Sequence, residues 1–199
     1  MKTGKQKYLS GEEFKKLLSV IPGDRDYLLF FLLGNLGLRV GEGIRLRAED
    51  IDFSNRCLHT PTLKQGTKKG IVHGKIKRGK LPDVYIDLPL DDVTLKMLTE
   101  YIKLYKVANW LFPYKDKLPL PDWQVMRAFK GYAKKAGLDP CYSVHSLRHF
   151  KGVSAYSELK DIRAVQLLLR HKSISSTQVY TEMSLDQKRK ISEKLKIVT

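Results

Sequence analysis

The stretch LLRHKSISSTQVYTEM, from Leu168 to Met183, connects an apolar segment to a turn that is rich in hydroxyl side chains. It places His171 nine residues before Tyr180, with mostly small and polar residues between them. The preceding DIRAVQLLLRH (161–171) has the apolar spacing of a short helix that ends near the histidine. An imidazole and a phenol at the two ends of a turn can move protons and attack electrophiles. One tyrosine among ten is more often a buried residue with a hydrogen-bonded hydroxyl, so this stretch alone leaves both interpretations open.

Length and composition limit the number of domains. The chain has 199 residues, and hydrophobic residues make up 42% of it, which is enough for a core. The opening MKTGKQKY is charged and carries little apolar surface. We therefore expect residues 1–8 to form a flexible basic arm and residues 9–199 to form one domain.

The charge balance is strongly basic, with 37 Lys and Arg against 21 Asp and Glu, a formal net charge of +16. Such a surface attracts polyanions, which are DNA, RNA or an anionic membrane. The longest apolar run, YLLFFLL (27–33), is far shorter than the roughly 20 residues of a membrane-spanning helix. We expect a soluble protein inside the cell, without a signal peptide and without a membrane partner. The two cysteines, Cys57 and Cys141, are too few for a disulfide framework.

Helical patterns cover most of the chain. Ser10 and Glu13 form the sequence signature of a capping box at the start of the first helix. Apolar spacing predicts helices at 11–21, 24–37, 40–52, 91–105, 122–136, 143–156, 161–171 and 184–198. The proline-rich NWLFPYKDKLPLP (109–121) predicts a loop.

Three strand-like segments interrupt the helices. They are CLHTPTL (57–63), GIVHGKI (70–76) and DVYIDLPL (83–90), which predict a small three-stranded antiparallel sheet in a mainly α-helical, α+β fold. Seven Lys or Arg and no acid lie between Lys64 and Lys80. A solvated hairpin is one interpretation of this run. Charges of a single sign also suit contact with phosphates.

Two further groups could carry chemistry. In HSLRH, His145 and Arg148 are three residues apart and share one face of a helix. In GNLGLRVGEGIRL, Arg39 follows a glycine-bounded helix end, and Glu42 is placed to pair with it and hold its orientation. A lone arginine or a His/Arg pair on a basic helix is more often solvent-exposed and without a catalytic role. Neither group therefore decides the function by itself.

We expect neither a metal ion nor another cofactor. His171 has no second ligand at metal spacing, Cys57 and Cys141 are isolated in the sequence, and no acidic cluster suits a two-metal nuclease.

The combination and order of these groups resemble the tyrosine recombinase (lambda-integrase-like, phage integrase) family over nearly the whole chain. GLRVGEGIRLRAEDIDF looks like the first motif of that family, and NWLFP looks like its Leu-Phe-Pro loop. HSLRH is similar to its His-x-x-Arg-His box, and LLRHKSISSTQVYTEM is similar to its box with a late histidine and tyrosine. Arg170 departs from the family, which usually has glycine before this histidine.

The resemblance implies the catalytic domain of a site-specific DNA recombinase, for integration, excision, inversion or resolution. It implies that Tyr180 is the nucleophile that forms a 3′-phosphotyrosine link. The implied catalytic set is Arg39, Lys77, His145, Arg148, His171 and Tyr180. Lys80 and then Lys64 are the alternatives to Lys77, because the three strand-like pieces leave the alignment of the hairpin open. The expected DNA contacts are Lys64, Lys68, Lys69, Lys75, Arg78, Lys80, Arg170 and Lys172.

The resemblance also has implications for organisation and partners. Most relatives carry an N-terminal clamp domain, and we expect it to be absent here because only about eight residues precede the catalytic region. The implied partner is double-stranded DNA, bound by a homotetramer on paired sites, with a monomer as the free form and a location wherever the host DNA lies. A type IB topoisomerase and a non-catalytic DNA-binding module are the alternative functions.

Overall fold

A computed structural model describes residues 8–61, 85–115, 118–171 and 174–178 of the protein. The helices in this part of the chain are α1 (Gly11–Ser19), α2 (Asp24–Asn35), α3 (Val40–Gly43), α4 (Asp92–Tyr105), α5 (Asp122–Lys135), α6 (Val144–Leu159), α7 (Ile162–Leu169) and α8 (Ser175–Gln178). The strands are β1 (Ile51–Asp52), β2 (Cys57–Pro61), β3 (Tyr85–Pro89), β4 (Pro113–Tyr114) and β5 (Leu118–Pro119). The mainly helical α+β class with a small antiparallel sheet is confirmed. The chain divides into two compact units, Met1–Phe150 and Lys151–Thr199.

The predicted capping box begins α1. The backbone N–H of Glu13 donates to Ser10 Oγ (3.1 Å), and the Ser10 N–H donates to Glu13 Oε2 (2.8 Å). This exchange satisfies two backbone donors that the first turn of a helix leaves open. Phe14 and Leu17 of α1 are buried, and the Phe14 ring lies 4.9 Å from the Phe150 ring.

Helix α2 forms the centre of the first unit. Its buried residues include Leu28, Leu29, Phe30, Leu32 and Leu33. The Phe30 ring meets the rings of Phe129 and Tyr132 of α5 edge-on, at 5.9 and 6.0 Å. Gly34 allows the Phe14 ring to approach the backbone of α2, because a Cβ at that position would overlap Phe14 Cζ.

The prediction that one helix continues through residues 40–52 is wrong. Helix α3 ends at Gly43, a 3₁₀ turn follows at Ala48–Asp50, and β1 begins at Ile51. The intervening backbone pairs with a distant segment, since Leu111 N–H donates to Leu46 O (2.8 Å) and Ala48 N–H donates to Asn109 O (2.9 Å). Long-range pairing therefore replaces the local helical hydrogen bonds. The expected loop at 109–121 contains the short antiparallel pair of β4 and β5.

The three-stranded sheet has the order β1-β2-β3 and is antiparallel throughout. Strands β2 and β3 lie in two of the predicted segments, whereas the predicted strand at 70–76 lies outside the described residues. Ile51, Leu58 and Leu88 cover one face and are buried in the core. On the other face, Cys57 Sγ lies 3.8 Å from His59 Nε2. The expectation that Cys57 stands apart from other metal-ligand types is therefore wrong, because residues two apart on a strand share a face.

The second unit contains the last part of α6 together with α7 and α8. Val165 and Leu169 of α7 are buried, with Val153 and Tyr156 of α6 packed against them. The Asp161 carboxylate caps α7 by accepting from two backbone N–H groups at its start. The predicted C-terminal helix at 184–198 lies outside the described residues. Within the described part of the chain, the helices are too short or too polar to cross a membrane.

Candidate active site

The turn between α2 and α3 holds Arg39 in a fixed position. Gly37 adopts the left-handed conformation (φ 62°), which glycine takes without a steric penalty, and the chain then enters α3 with Arg39 as its N-cap residue. The Glu42 carboxylate accepts from the Arg39 N–H at Oε2 and from Arg39 Nη1 at Oε1, both at 2.8 Å. One carboxylate therefore fixes the backbone and the guanidinium of the same residue, as the spacing of the two residues predicted.

Arg148 reaches the same carboxylate from α6. Its Nη1 donates to the backbone carbonyl of Gly37 (2.5 Å) and lies 3.9 Å from Glu42 Oε2. The side chains of Arg148 and Glu42 are 2% and 1% exposed, while that of Arg39 is 27% exposed. A buried carboxylate next to two guanidinium groups avoids the large cost of burying an uncompensated charge.

The two arginines differ in burial. The Gly37 carbonyl and the Glu42 carboxylate draw its guanidinium into the interior, whereas Arg39 keeps an exposed edge. Arg39 is therefore the more accessible cation of the two. Arg148 stabilises its position indirectly, because both arginines contact the Glu42 carboxylate.

His145 lies near the two cations. Partial burial and then the positive charges of Arg148 and Arg39 lower the pKa of His145 below its usual 6.5. Its ring also meets the His149 ring edge-on, with the centroids 4.6 Å apart. His145 is therefore held neutral at neutral pH, which suits a proton acceptor.

His171 belongs to the second unit and has its own supports. Its backbone N–H donates to Gln166 O (3.0 Å), and its carbonyl accepts from Gln166 Nε2 (3.1 Å). Its Nδ1 lies 3.0 Å from the hydroxyl of Thr177, a completely buried residue of the short helix α8. A hydroxyl that donates to Nδ1 leaves the ring proton on Nε2, where it can be donated to a ligand.

Arg170 occupies a left-handed position, with φ 56°, directly after α7. Residues with a Cβ pay a conformational cost there that glycine does not. This geometry gives a physical reason for the glycine that the family usually has at this point. Arg170 is also the residue that ends α7 and turns the chain toward His171.

The remaining predicted site residues lie outside the described residues. These are Lys64, Lys68, Lys69, Lys75, Lys77, Arg78, Lys80, Lys172 and the nucleophile candidate Tyr180. In the sequence, the basic residues from Lys64 to Lys80 lie between β2, which ends at Pro61, and β3, which begins at Tyr85. Within the described chain, Arg39, His145 and Arg148 come together in the first unit, and His171 is positioned within the second.

Sequence reasoning missed three supporting groups: the Gly37 carbonyl, Gln166 and Thr177. A backbone carbonyl leaves no signal in a sequence. Thr177 could have been found, since it is one of several hydroxyl residues placed shortly after His171. The choice among those hydroxyls depends on the helical turn α8, which buries Thr177 and exposes Ser175 and Ser176.

Three other tyrosines are poorly suited to act as nucleophiles. Burial is the first cause that raises the pKa of Tyr101, Tyr132 and Tyr142 to about 12. The hydroxyl of Tyr132 also donates to Asp26 Oδ2 (2.8 Å), and that of Tyr101 donates to the Leu111 carbonyl (3.1 Å). A phenol that is harder to deprotonate attacks less readily.

The sequence profile of the phage integrase family matches residues 7–186. The chain therefore belongs to the phage integrase family, the tyrosine recombinases that its motifs resemble.

Individual relatives agree with this assignment. The tyrosine recombinase XerA of Thermococcus onnurineus (strain NA1) is 32% identical over 201 residues, covering 96% of this chain and 64% of its own length. The XerA of Pyrococcus furiosus is 36% identical over 187 residues, covering 89% of this chain and 58% of its own. The chain thus spans less than two thirds of these curated relatives.

Solved structures share the fold. A crystal structure of XerA recombinase has a TM-score of 0.75 at 23% identity, covering 99% of this chain and 66% of that one. The XerH site-specific recombinase, bound to its difH substrate in a pre-cleavage complex, has a TM-score of 0.70 at 19% identity, covering 94% and 54%. Similarity at 23% and 19% identity establishes that this chain shares their fold, while its chemistry has to be inferred from the residues of its own site.

Proposed function

We propose that this chain is a site-specific DNA recombinase that breaks and rejoins DNA strands through a 3′-phosphotyrosine intermediate. The observation that carries the proposal is the convergence of Arg39 and Arg148 on the buried Glu42 carboxylate, with His145 close to both cations. Fixed guanidinium groups stabilise the charge that develops on the non-bridging oxygens of a phosphodiester under attack. The names of the relatives, which are tyrosine recombinases, support the same activity.

In the proposed reaction, the Tyr180 oxygen attacks the phosphorus and the bond to the 5′-oxygen breaks. His145 accepts the tyrosine proton, and Lys77 donates a proton to the departing 5′-oxygen. The reverse step uses a 5′-hydroxyl as the nucleophile and returns the proton to Tyr180. The number of phosphoester bonds is the same before and after, so resealing needs no ATP.

The other site residues act on the phosphate itself. Arg39 has a partly exposed side chain that can contact the phosphate, and Arg148 fixes the turn that carries it. His171 donates from Nε2 to a non-bridging oxygen when the Thr177 hydroxyl donates to Nδ1. The cationic groups neutralise the charge that a magnesium ion offsets in many other phosphoryl-transfer enzymes.

Double-stranded DNA is the proposed partner. The net charge of +16 supports binding to a polyanion, and the pre-cleavage complex of the similar XerH supports a DNA substrate. The proposed contacts with the DNA phosphate backbone are the basic residues from Lys64 to Lys80, together with Arg170 and Lys172. Binding through many such contacts falls steeply as the salt concentration rises.

We also propose that four copies assemble on two paired DNA sites, while the free chain is a monomer. Light scattering in the presence and absence of paired sites tests this directly. A complex of four chains with two duplexes is the expected result, and a complex that stays at one chain per site would contradict it.

The decisive experiment traps the covalent intermediate. Bound DNA is first selected from a random pool, and a duplex of the selected sequence is then nicked near the cleavage point so that resealing fails. The intact chain should accumulate a covalent DNA complex, and Tyr180→Phe should not. Tyr105→Phe, which alters an exposed tyrosine, is the matched control and should retain the complex.

Two outcomes would overturn the proposal. If the intact chain binds the selected DNA without any covalent complex, the chain is a binding module. If it forms the complex and relaxes supercoils alone, but does not exchange strands between paired sites, it is a topoisomerase of type IB.

A further inference from the structure

The sheet register gathers four side chains with metal-ligand chemistry on one face. Asp52 of β1 pairs with Cys57 of β2, and His59 of β2 pairs with Asp87 of β3. Cys57 and His59 are two apart on the same strand and so point to the same side. This face lies opposite the one that carries the buried Leu58, so it is turned away from the hydrophobic core.

The ligand atoms of three of these residues are nearly in place for one ion. His59 Nε2 lies 3.8 Å from Cys57 Sγ and 3.9 Å from Asp52 Oδ2. All three ligand atoms lie within 4.8 Å of one another. Tetrahedral zinc, with bonds of about 2.3 Å to sulfur and about 2.0 Å to nitrogen and oxygen, sets these separations at roughly 3.6 and 3.3 Å. The two distances from His59 Nε2 therefore exceed the zinc values by roughly half an ångström or less, and small side-chain rotations of these half-buried residues would bring the three ligands onto one ion.

The supporting hydrogen bonds orient two of the ligands. His59 Nδ1 donates to Asp87 Oδ1 at 2.6 Å, which leaves the lone pair of the neutral ring on Nε2, facing Cys57 and Asp52. A carboxylate behind a histidine in this way is the usual outer support of a metal-bound imidazole. Asp52 is held in turn by Asn55, whose backbone N–H and side-chain amide donate to the two carboxylate oxygens at 2.8 and 2.7 Å.

We propose that Asp52, Cys57 and His59 bind a divalent transition-metal ion of the zinc type, with water as the fourth ligand. One thiolate, one imidazole and one carboxylate suit a borderline-soft ion and disfavour calcium and magnesium, which take oxygen ligands. The ion would link β1 to β2, since Asp52 belongs to β1 and Cys57 and His59 belong to β2. Its three ligands are different residues from those of the proposed DNA chemistry, so the metal site does not depend on that chemistry.

An ion-pair cluster is the competing explanation for the same geometry. In that case the hydrogen bond that His59 donates to Asp87 raises the pKa of His59, and the imidazolium lies between two carboxylates without a metal. Cys57 then has no role. The two explanations differ in whether the thiolate becomes a ligand, which spectroscopy detects directly.

The test uses cobalt(II) as the probe on the full chain after treatment with a chelator. We expect one cobalt per chain, an absorption band from thiolate-to-cobalt charge transfer, and displacement of the cobalt by one equivalent of zinc. Cys57→Ser should abolish the band, while Cys141→Ser, which alters the other free thiol, should retain it. Because the band requires sulfur, cobalt bound at the His145/His149 pair would not produce it.

Two further variants test the geometry. His59→Gln should abolish the band, and Asp87→Asn should keep it but weaken the affinity for cobalt by about 10- to 100-fold. Circular dichroism confirms that each variant is folded, and zinc should raise the melting temperature of the intact chain but not of Cys57→Ser. No band in the folded intact chain, or a band that survives Cys57→Ser or His59→Gln, overturns the proposal. An unchanged affinity in Asp87→Asn would also contradict the arrangement.

Discussion

The buried guanidinium of Arg148 lies 3.9 Å from the equally buried carboxylate of Glu42. The same carboxylate accepts hydrogen bonds from the backbone and side chain of Arg39, so it balances two cations that come from distant parts of the sequence. Its removal would leave both arginines without their shared counter-charge. Glu42 is therefore a positioning residue for the proposed phosphate site as well as a structural one.

Glu42→Gln should lower the free energy of unfolding by about 3–5 kcal/mol, because the buried Arg148 loses its charged partner. Urea denaturation measures this change. Glu49→Gln is the matched control, since Glu49 pairs with Arg47 at an exposed position and its loss should cost about 0–1 kcal/mol. Equal effects of the two substitutions would contradict the role assigned to Glu42.

The rate of covalent complex formation should be flat near neutral pH and fall only as the pH drops below 6.5. Partial burial and then the nearby arginines hold the pKa of His145 below that value, so its neutral form persists at neutral pH. His145→Gln should remove the acidic limb and reduce the rate by about 10²- to 10⁴-fold. Measuring DNA binding at each pH separates an effect on the rate from a loss of affinity. If the rate of His145→Gln still falls at acidic pH, another residue is the general base.

The lowered pKa of His145 also affects stability. Between its folded and unfolded pKa values, the unfolded chain binds the proton more readily than the folded one. The contribution of this residue to folding is therefore complete above 6.5 and is lost as the pH falls. His145→Gln should make the stability of the protein less sensitive to acid over that range, which thermal unfolding at several pH values checks.

Thr177→Val should slow covalent complex formation by about 10- to 100-fold, because the imidazole of His171 loses the hydroxyl that contacts its Nδ1 and orients the ring. Thr177→Ser keeps that hydroxyl and should restore most of the rate. Ser176→Ala alters an exposed neighbour and serves as the control. If the rates of the Thr177 variants fall only in proportion to their melting temperatures, and Thr177→Ser does not restore the rate, Thr177 contributes packing alone.

Gly34→Ala should destabilise the protein by about 1–3 kcal/mol, because the new methyl group overlaps the buried Phe14 ring. Gly131→Ala makes the same change in α5, where the described residues leave the Cβ position open, and should stabilise by about 0.5–1 kcal/mol. Both glycines are within helices, so the opposite signs isolate the overlap. Denaturant unfolding of the two variants decides the point, and a stabilising Gly34→Ala would contradict it.

Much of the fold could be predicted from local pattern. The capping box at Ser10 and Glu13 formed as predicted, and so did the pairing of Arg39 with Glu42. The prediction of one continuous helix over residues 40–52 was wrong, because Leu46 and Ala48 form backbone hydrogen bonds to the distant residues 109–111. Local propensity carries no information about such a partner, and tertiary pairing overrides it.

The sequence by itself determined the capping box of the first helix, the buried helix faces, the excess of basic residues and the motifs that resemble the phage integrase family. Each of these depends on residues a few positions apart, whose spacing the helical period converts directly into shared faces. Only the tertiary structure decided that Arg148 meets Glu42 and the Gly37 carbonyl, and that Asp52, Cys57, His59 and Asp87 share one sheet face. These long-range contacts depend on helix packing and strand register, which cannot be predicted from the spacing of neighbouring residues.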